Sequence, residues 1–219
     1  MRRVRRGRAL RRMPARTGSR IDIRRTLRES LQTGGDPVLV RRLAPPRRNP
    51  GFVAIVDGSR SMAPHAGAML QFARALVRRT RRARAFAFST SVRDVTEQLR
   101  DASRPLGKLG TAWGGGTRIG SALAAIVAAY GSLFTRDTVV LIASDGLDVG
   151  DAAALDAALR AVRARAGAIV WLHPHAGTPG FRAATAGMRA ALPLLRALVP
   201  ASSADDFLRL TERISTPHG

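Results

Sequence analysis

"FVAIVDGSRSM", Phe52 to Met62, runs an apolar stretch straight into Asp57 and then places hydroxyls two and four positions later, at Ser59 and Ser61. A short apolar run bounded by turn formers reads as a strand buried on both faces. Its end admits two readings. Asp and Ser are the commonest helix caps, so the stretch can be a strand followed by a capped helix. Alternatively, Asp57, Ser59 and Ser61 supply oxygens to a hard cation.

Downstream, strand-like and helix-like patterns alternate. "HAGAMLQFARALVRRTRR" predicts a helix with Met69, Phe72, Ala73, Leu76 and Val77 on one side. "ARAFAFS" and "VRDVTEQL" alternate with period two and predict adjacent strands. Ile119 to Tyr130 reads as an Ala-rich helix, and "TVVLIAS" as a second fully apolar strand. "DAAALDAALRAVRARA" reads as a helix whose basic residues crowd its last turns, where the helix dipole favours them. "AIVWLHP" is a third buried strand, and leucine-rich helices are expected over Gly187 to Val199 and Ala204 to Ile214. The fold expected is α/β: doubly wound, with a mostly parallel central sheet and helices on both faces. There is no internal repeat.

The chain divides by composition into a basic leader (1–20), an approach segment (21–50), the α/β domain (51–214) and a short tail (215–219). "MRRVRRGRALRRMPARTGSR" is too charged to bury anything and is expected to be disordered or a short surface helix. A short helix over Ile21 to Leu31 and an edge strand at Val38 to Val40 follow, and "APPRRNP" breaks regular structure.

The formal charge of +22 raises the question of nucleic acid, and its distribution matters more than its sum. Met1 to Pro50 holds 16 Arg and 3 acids, while the other 169 residues hold 21 basic and 12 acidic residues. More than half the excess therefore sits in the first fifty residues. Nearly every basic residue is Arg, with Lys108 the lone lysine, which resembles a coding bias as much as a selected surface. Those fifty residues contain no Phe, Tyr or Trp for base stacking, so a specific nucleic-acid role is disfavoured. A basic nucleic-acid or anionic-surface binder using the Arg-rich leader stays as the alternative function. The absence of cysteine removes disulfides, thiolate metal sites and a Cys nucleophile together. No apolar run is long enough to span a membrane, and no secretion signal is recognisable, so a cytoplasmic location is expected, with peripheral membrane association left open.

In open parallel sheets, ligands bind outside the carboxyl ends of the strands. The polar residues there are Asp57, Ser59 and Ser61 after the first strand, Thr117 after a glycine run, and Asp145 with Asp148 after "VVLIAS". Two carboxylates and three hydroxyls make an oxygen-only set, suited to Mg2+, Mn2+ or Ca2+ rather than zinc or copper. Asp148 and Asp151 read as caps of the following helix. Gly114, Gly115 and Gly116 permit a sharp turn and close backbone approach before Thr117; the lysine of a phosphate-cradling loop is absent. An aspartyl-phosphate enzyme would need a second aspartate where Ser59 stands, and "DGSRS" lacks the G-x-S-x-G elbow of a serine hydrolase. His173 and His175 read as surface-loop residues, and His65 as a first-turn helix residue.

"DGSRS", Thr117 in "GGGT" and Asp145 in "ASDG" resemble, in order, the three elements of the metal-ion-dependent adhesion site of von Willebrand factor A (VWA) domains. "FAFSTSVRDVTEQL", "WGGGTRIGSAL", "LIASDGLDVGD", "IVWLHP" and "GMRAALPLL" resemble one subgroup more closely, the bacterial CoxE-like proteins. The resemblance spans roughly Ile21 to Ile214. It implies that Ser59, Ser61 and Thr117 give hydroxyl oxygens to a divalent cation, Mg2+ foremost, while Asp57 and Asp145 bind it directly or through water. Arg60, Gly115, Gly116 and Arg118 would form the partner-facing rim, and an acidic residue of a partner would complete the coordination. It further implies a non-enzymatic role alongside a MoxR-type AAA+ ATPase, in maturation or metal-cofactor insertion of a molybdenum hydroxylase such as carbon monoxide dehydrogenase. Arg60 stands where the family has glycine, and the subgroup tends to carry asparagine at the position of His173. CoxE-like chains commonly have a longer N-terminal region; a truncated start or a divergent member would each explain the short leader.

Overall fold

The stretch that opens the domain is the central strand of a six-stranded sheet, and its neighbours follow from that position. The computed structural model describes residues 13–15, 20–23, 42–44, 50–104, 117–147, 150–203, 205–207 and 209. The chain divides into two units, Met1–Asn49 and Pro50–Gly219.

In the first unit, β1 (Met13–Ala15), β2 (Arg20–Ile21) and β3 (Arg42–Ala44) form a small sheet in the order β1-β3-β2, with both pairings antiparallel. Part of the basic leader is therefore strand, contrary to expectation: backbone pairing asks only for a partner strand, not for an apolar side-chain face. The predicted helix at Ile21 to Leu31 begins on a strand residue, Ile21, and its remainder past Ile23 lies outside the described residues, as does Val38 to Val40.

In the second unit the elements are β4 (Gly51–Asp57), α1 (Ala63–Arg79), β5 (Ala83–Phe88), β6 (Val92–Asp94), α2 (Thr96–Arg100), α3 (Ile119–Ala129), β7 (Thr138–Ala143), α4 (Ala152–Arg165), β8 (Ala168–His173), α5 (Ala186–Ala191) and β9 (Ala197–Pro200). The sheet order is β6-β5-β4-β7-β8-β9. All its pairings are parallel except that of β5 with β6. The doubly wound α/β sheet is thus as expected.

Every residue of β4 is buried, because its alternate side chains enter two separate cores. Phe52, Ala54 and Val56 join Met69, Leu70, Ala73 and Val77 of α1 and Leu99 of α2. Val53 and Ile55 join Ile119, Leu123 and Ile126 of α3, Leu155, Leu159 and Val162 of α4, and Met188 of α5. Each large side chain fully removed from water contributes roughly 1.5–3 kcal/mol, so a central strand with helices on both sides is the most heavily stabilised place in the domain. Phe72 and Leu76, expected on the buried side of α1, are half-buried at its margin, while Leu70 joins Met69, Ala73 and Val77 in the core.

Two elements differ from the sequence pattern. Only Val92–Asp94 of "VRDVTEQL" is strand; Thr96 then starts a short helix, its hydroxyl donating to the Ala85 carbonyl and accepting the Ala85 N–H. The stretch Gly187 to Val199 is not one helix. Pro193 falls in a 3-10 turn, Leu192–Leu194, that ends α5, and beyond it Leu198 lies in β9, paired with β8. Proline removes the donor a continuing helix needs, and an apolar run then fits a parallel edge strand equally well. Of the last expected helix, residues 205–207 and 209 are helical; the rest lies outside the described residues.

Candidate metal centre

The sheet order reverses direction at β4: the chain first extends to β5 on one side and later to β7 on the other. Such a switch point leaves a crevice at the carboxyl ends of the two central strands. β4 ends there in Asp57 and β7 runs out there into Ser144 and Asp145.

Asp57 is fully buried. Its Oδ1 accepts the Ser59 N–H at 2.8 Å and its Oδ2 accepts the Ser144 hydroxyl at 2.6 Å. It does not cap α1, whose N-cap is Met62 and carries no side-chain cap. The simple capping reading of Asp57 therefore fails. Burial pushes its carboxyl above the ordinary aspartate range; hydrogen bonds from Ser144 and Ser59 pull it back, and the Asp145 charge adds to the rise. A buried carboxylate with a second one bearing on it is a place where a cation relieves an electrostatic cost.

Ser59 is buried, Ser61 is exposed, and their hydroxyl oxygens lie 3.1 Å apart. The loop that carries them feeds straight into α1, with the Met62 N–H donating to the Ser59 carbonyl at 3.2 Å. Asp145 is 7% exposed, and its Oδ1 accepts the Leu147 N–H at 3.0 Å. Between them Gly146 takes φ 71°, a left-handed conformation natural to glycine, and a Cβ there would meet Met188 Cγ and Sδ at 2.6 Å. Its N–H donates to Ser144 Oγ at 3.1 Å and its carbonyl accepts the Thr185 hydroxyl. Thr117 is buried two residues ahead of α3. A helix that returns to the foot of the next parallel strand starts at the carboxyl edge of the sheet, which puts Thr117 on the same edge as Asp57 and Asp145.

Arg60, between Ser59 and Ser61 in the chain, and Arg118, next to Thr117, are both exposed. Gly114, Gly115, Gly116 and Asp148 lie outside the described residues. Asp151 caps α4 by accepting the Ala153 N–H at 2.9 Å, as expected.

The donor chemistry fits a hard divalent ion. Among the described residues no three His, Cys, Asp or Glu side chains cluster as a metal cage; the candidate set is two carboxylates with hydroxyls. Such a set suits an ion that keeps waters and takes a further ligand from outside, as Mg2+ does.

Two residues were misread or missed in the sequence. Ser144 is buried and holds Asp57, yet in sequence it is only the last residue of an apolar run. His173, expected on a surface loop, is 4% exposed at the end of β8. Its Nδ1 accepts the His175 N–H at 3.1 Å, and its ring stands 4.6 Å from that of Phe181. Burial pushes its imidazole below the usual range, against a hydrogen bond with the Asp145 backbone and the Asp145 charge, while His175 and His65 add to the lowering. His65 lies in the first turn of α1 as expected, its ring 5.3 Å from that of the exposed His175.

Among the described residues, no helix is long and apolar enough to cross a membrane. No curated protein sequence matches the chain. Among solved structures, the chain is similar to proximal thread matrix protein 1 (PTMP1) from the mussel byssus, with a TM-score of 0.51 and 15% identity over 76% of this chain. It spans 46% of that protein, and at this identity the likeness is one of fold. The family model for "VWA domain containing CoxE-like protein" matches residues 1–207, nearly the whole length and from the first residue of the basic leader. On that match, which covers more than nine-tenths of its length, the chain belongs to the CoxE-like family of VWA-domain proteins.

Proposed function

We propose that this VWA domain is a metal-dependent, non-catalytic docking module. Asp57, Ser59, Ser61, Thr117 and Asp145 would hold one divalent cation, with Mg2+ the first candidate. The single observation that carries the reading is the buried Asp57 carboxylate, on which the Asp145 charge bears and which accepts the N–H of Ser59, whose hydroxyl in turn pairs with that of the exposed Ser61. A cation held largely by neutral hydroxyls and waters stays electrophilic, so an Asp or Glu of a partner is its natural remaining ligand. Arg60 and Arg118 at the rim favour an acidic partner segment on approach.

The partner we propose, on the family resemblance, is a MoxR-type AAA+ ATPase, and the pair would act in maturation or metal-cofactor insertion of a molybdenum hydroxylase such as carbon monoxide dehydrogenase. The ATPase supplies the work and this chain the attachment. The test is pull-down of the ATPase by the full chain with Mg2+ or Mn2+ against EDTA, for wild type, Asp57→Ala and Thr117→Ala. Capture is expected only with metal and only by wild type. Capture that survives EDTA and both substitutions overturns the mechanism.

A further inference from the structure

Beside the metal centre lies a cavity of about 290 Å³ that shares its wall with that centre: Ser61 and Asp145 line it. Its remaining lining is largely apolar, with Leu147, Phe181 and Met188 the large side chains. Leu147 is 52% exposed, one of three large hydrophobics left in water among the described residues. The left-handed turn at Gly146 separates it from Asp145, so consecutive turns of one loop serve the ion and the cavity. Arg182 and His175 stand exposed at the mouth, and Arg182 makes no ion pair among the described residues.

At the lower end of the roughly 300–1,000 Å³ typical of small-molecule sites, this volume suits a single large side chain better than a cofactor. An exposed leucine over an apolar floor, with Arg182 at its rim, matches the anatomy of a protein-recognition pocket: an apolar anchor site within a polar rim.

We propose that the cavity is a second recognition point for the partner segment docked on the metal, which presents an acidic residue to the cation and an aromatic or large aliphatic side chain, one or two positions away, to the cavity. This rests on the metal-docking reading. The partner is an acidic peptide segment, because the mouth carries the exposed Arg182 guanidinium beside the ion. The apolar anchor supplies selectivity that a bare carboxylate–metal contact lacks.

The test uses the full chain with Mn2+ and a series of carboxylates: acetate, phenylacetate, 3-phenylpropionate and 4-phenylbutyrate. Isothermal titration gives their affinities, and Mn2+ affinity is measured separately by water-proton relaxation. The best aryl acid is expected to bind at least about tenfold more tightly than acetate. Ala184→Trp, which fills the cavity from an exposed lining position, is expected to reduce that ratio to about twofold without changing Mn2+ affinity. Leu147→Ser, at an exposed side chain, is expected to lower it about threefold and guards against misfolding of the first variant. Mn2+ binding with equal affinity for acetate and every aryl acid, or an aryl preference untouched by both substitutions, overturns the second recognition point alone. No Mn2+ binding overturns the docking reading and this inference with it.

Discussion

Ser144 Oγ donates a 2.6 Å hydrogen bond to Asp57 Oδ2, joining the ends of two neighbouring strands whose residues are 87 apart in the chain. The contact follows from register: Val56 pairs with Ala143, so Asp57 and Ser144 are the next positions on β4 and β7. Ser144→Ala removes a partner from a buried carboxylate and an acceptor from the Gly146 N–H. A loss of about 1–3 kcal/mol is expected, measured by urea unfolding at neutral pH in EDTA. An unchanged midpoint would show that Asp57 does not depend on Ser144.

Asp57 itself sets a pH dependence of the metal-free protein. Its folded pKa is raised above the ordinary 3.8, so the folded state holds the proton more tightly than the unfolded chain. Its contribution to stability is then fully present below the unfolded value and is lost as pH rises through the raised folded value. In EDTA, Asp57→Asn is expected to melt at or above the wild-type temperature near neutral pH, the gap closing below about pH 4. Added Mg2+ should raise only the wild-type melting temperature. A variant that melts lower than wild type in EDTA at neutral pH would contradict the assignment.

His173 acts in the opposite sense. Its folded pKa is depressed, so its contribution is present above the unfolded value of 6.5 and is lost as pH falls through the folded one. His173→Asn forgoes the Phe181 ring contact and lowers the baseline, yet between pH 6.5 and 5 its stability should fall less steeply than that of wild type. Parallel slopes in a pH series of thermal melts would remove His173 as the cause.

Helix spacing gives a test independent of the metal. A Cβ at Gly120 would lie 2.7 Å from the Leu155 backbone nitrogen and 2.9 Å from the Ala154 carbonyl carbon, so α3 and α4 must move apart to admit it. Gly120→Ala is expected to cost about 1–3 kcal/mol. In α1, Gly67 has nothing within 4 Å of the same position, and Gly67→Ala is expected to stabilise by roughly 0.5–1 kcal/mol. Chemical denaturation of both variants reads the contrast; equal effects would mean that the close approach of α3 and α4 is not limiting.

Much of this domain was legible one stretch at a time. The apolar runs "FVAIV", "TVVLIAS" and "AIVWLHP" are buried strands, since a strand covered on both faces has no polar side to show. The long periodic runs are α1, α3 and α4. "GMRAALPLLRALVP" was not legible in that way. Its leucines satisfy a helix and a buried strand equally, and proline with the free edge of β8 decided between them.

Local spacing by itself determined the alternation of strands and helices, the family resemblance, and the oxygen-bearing residue types at strand ends, because burial period and side-chain chemistry are properties of a short window. Only the tertiary structure decided that Ser144 steadies Asp57, that His173 is buried behind Asp145, and that Ser61 and Asp145 open onto an apolar cavity. Those relations depend on which strands lie side by side and in what register, and sheet order is settled by the competition of distant segments for the same two cores.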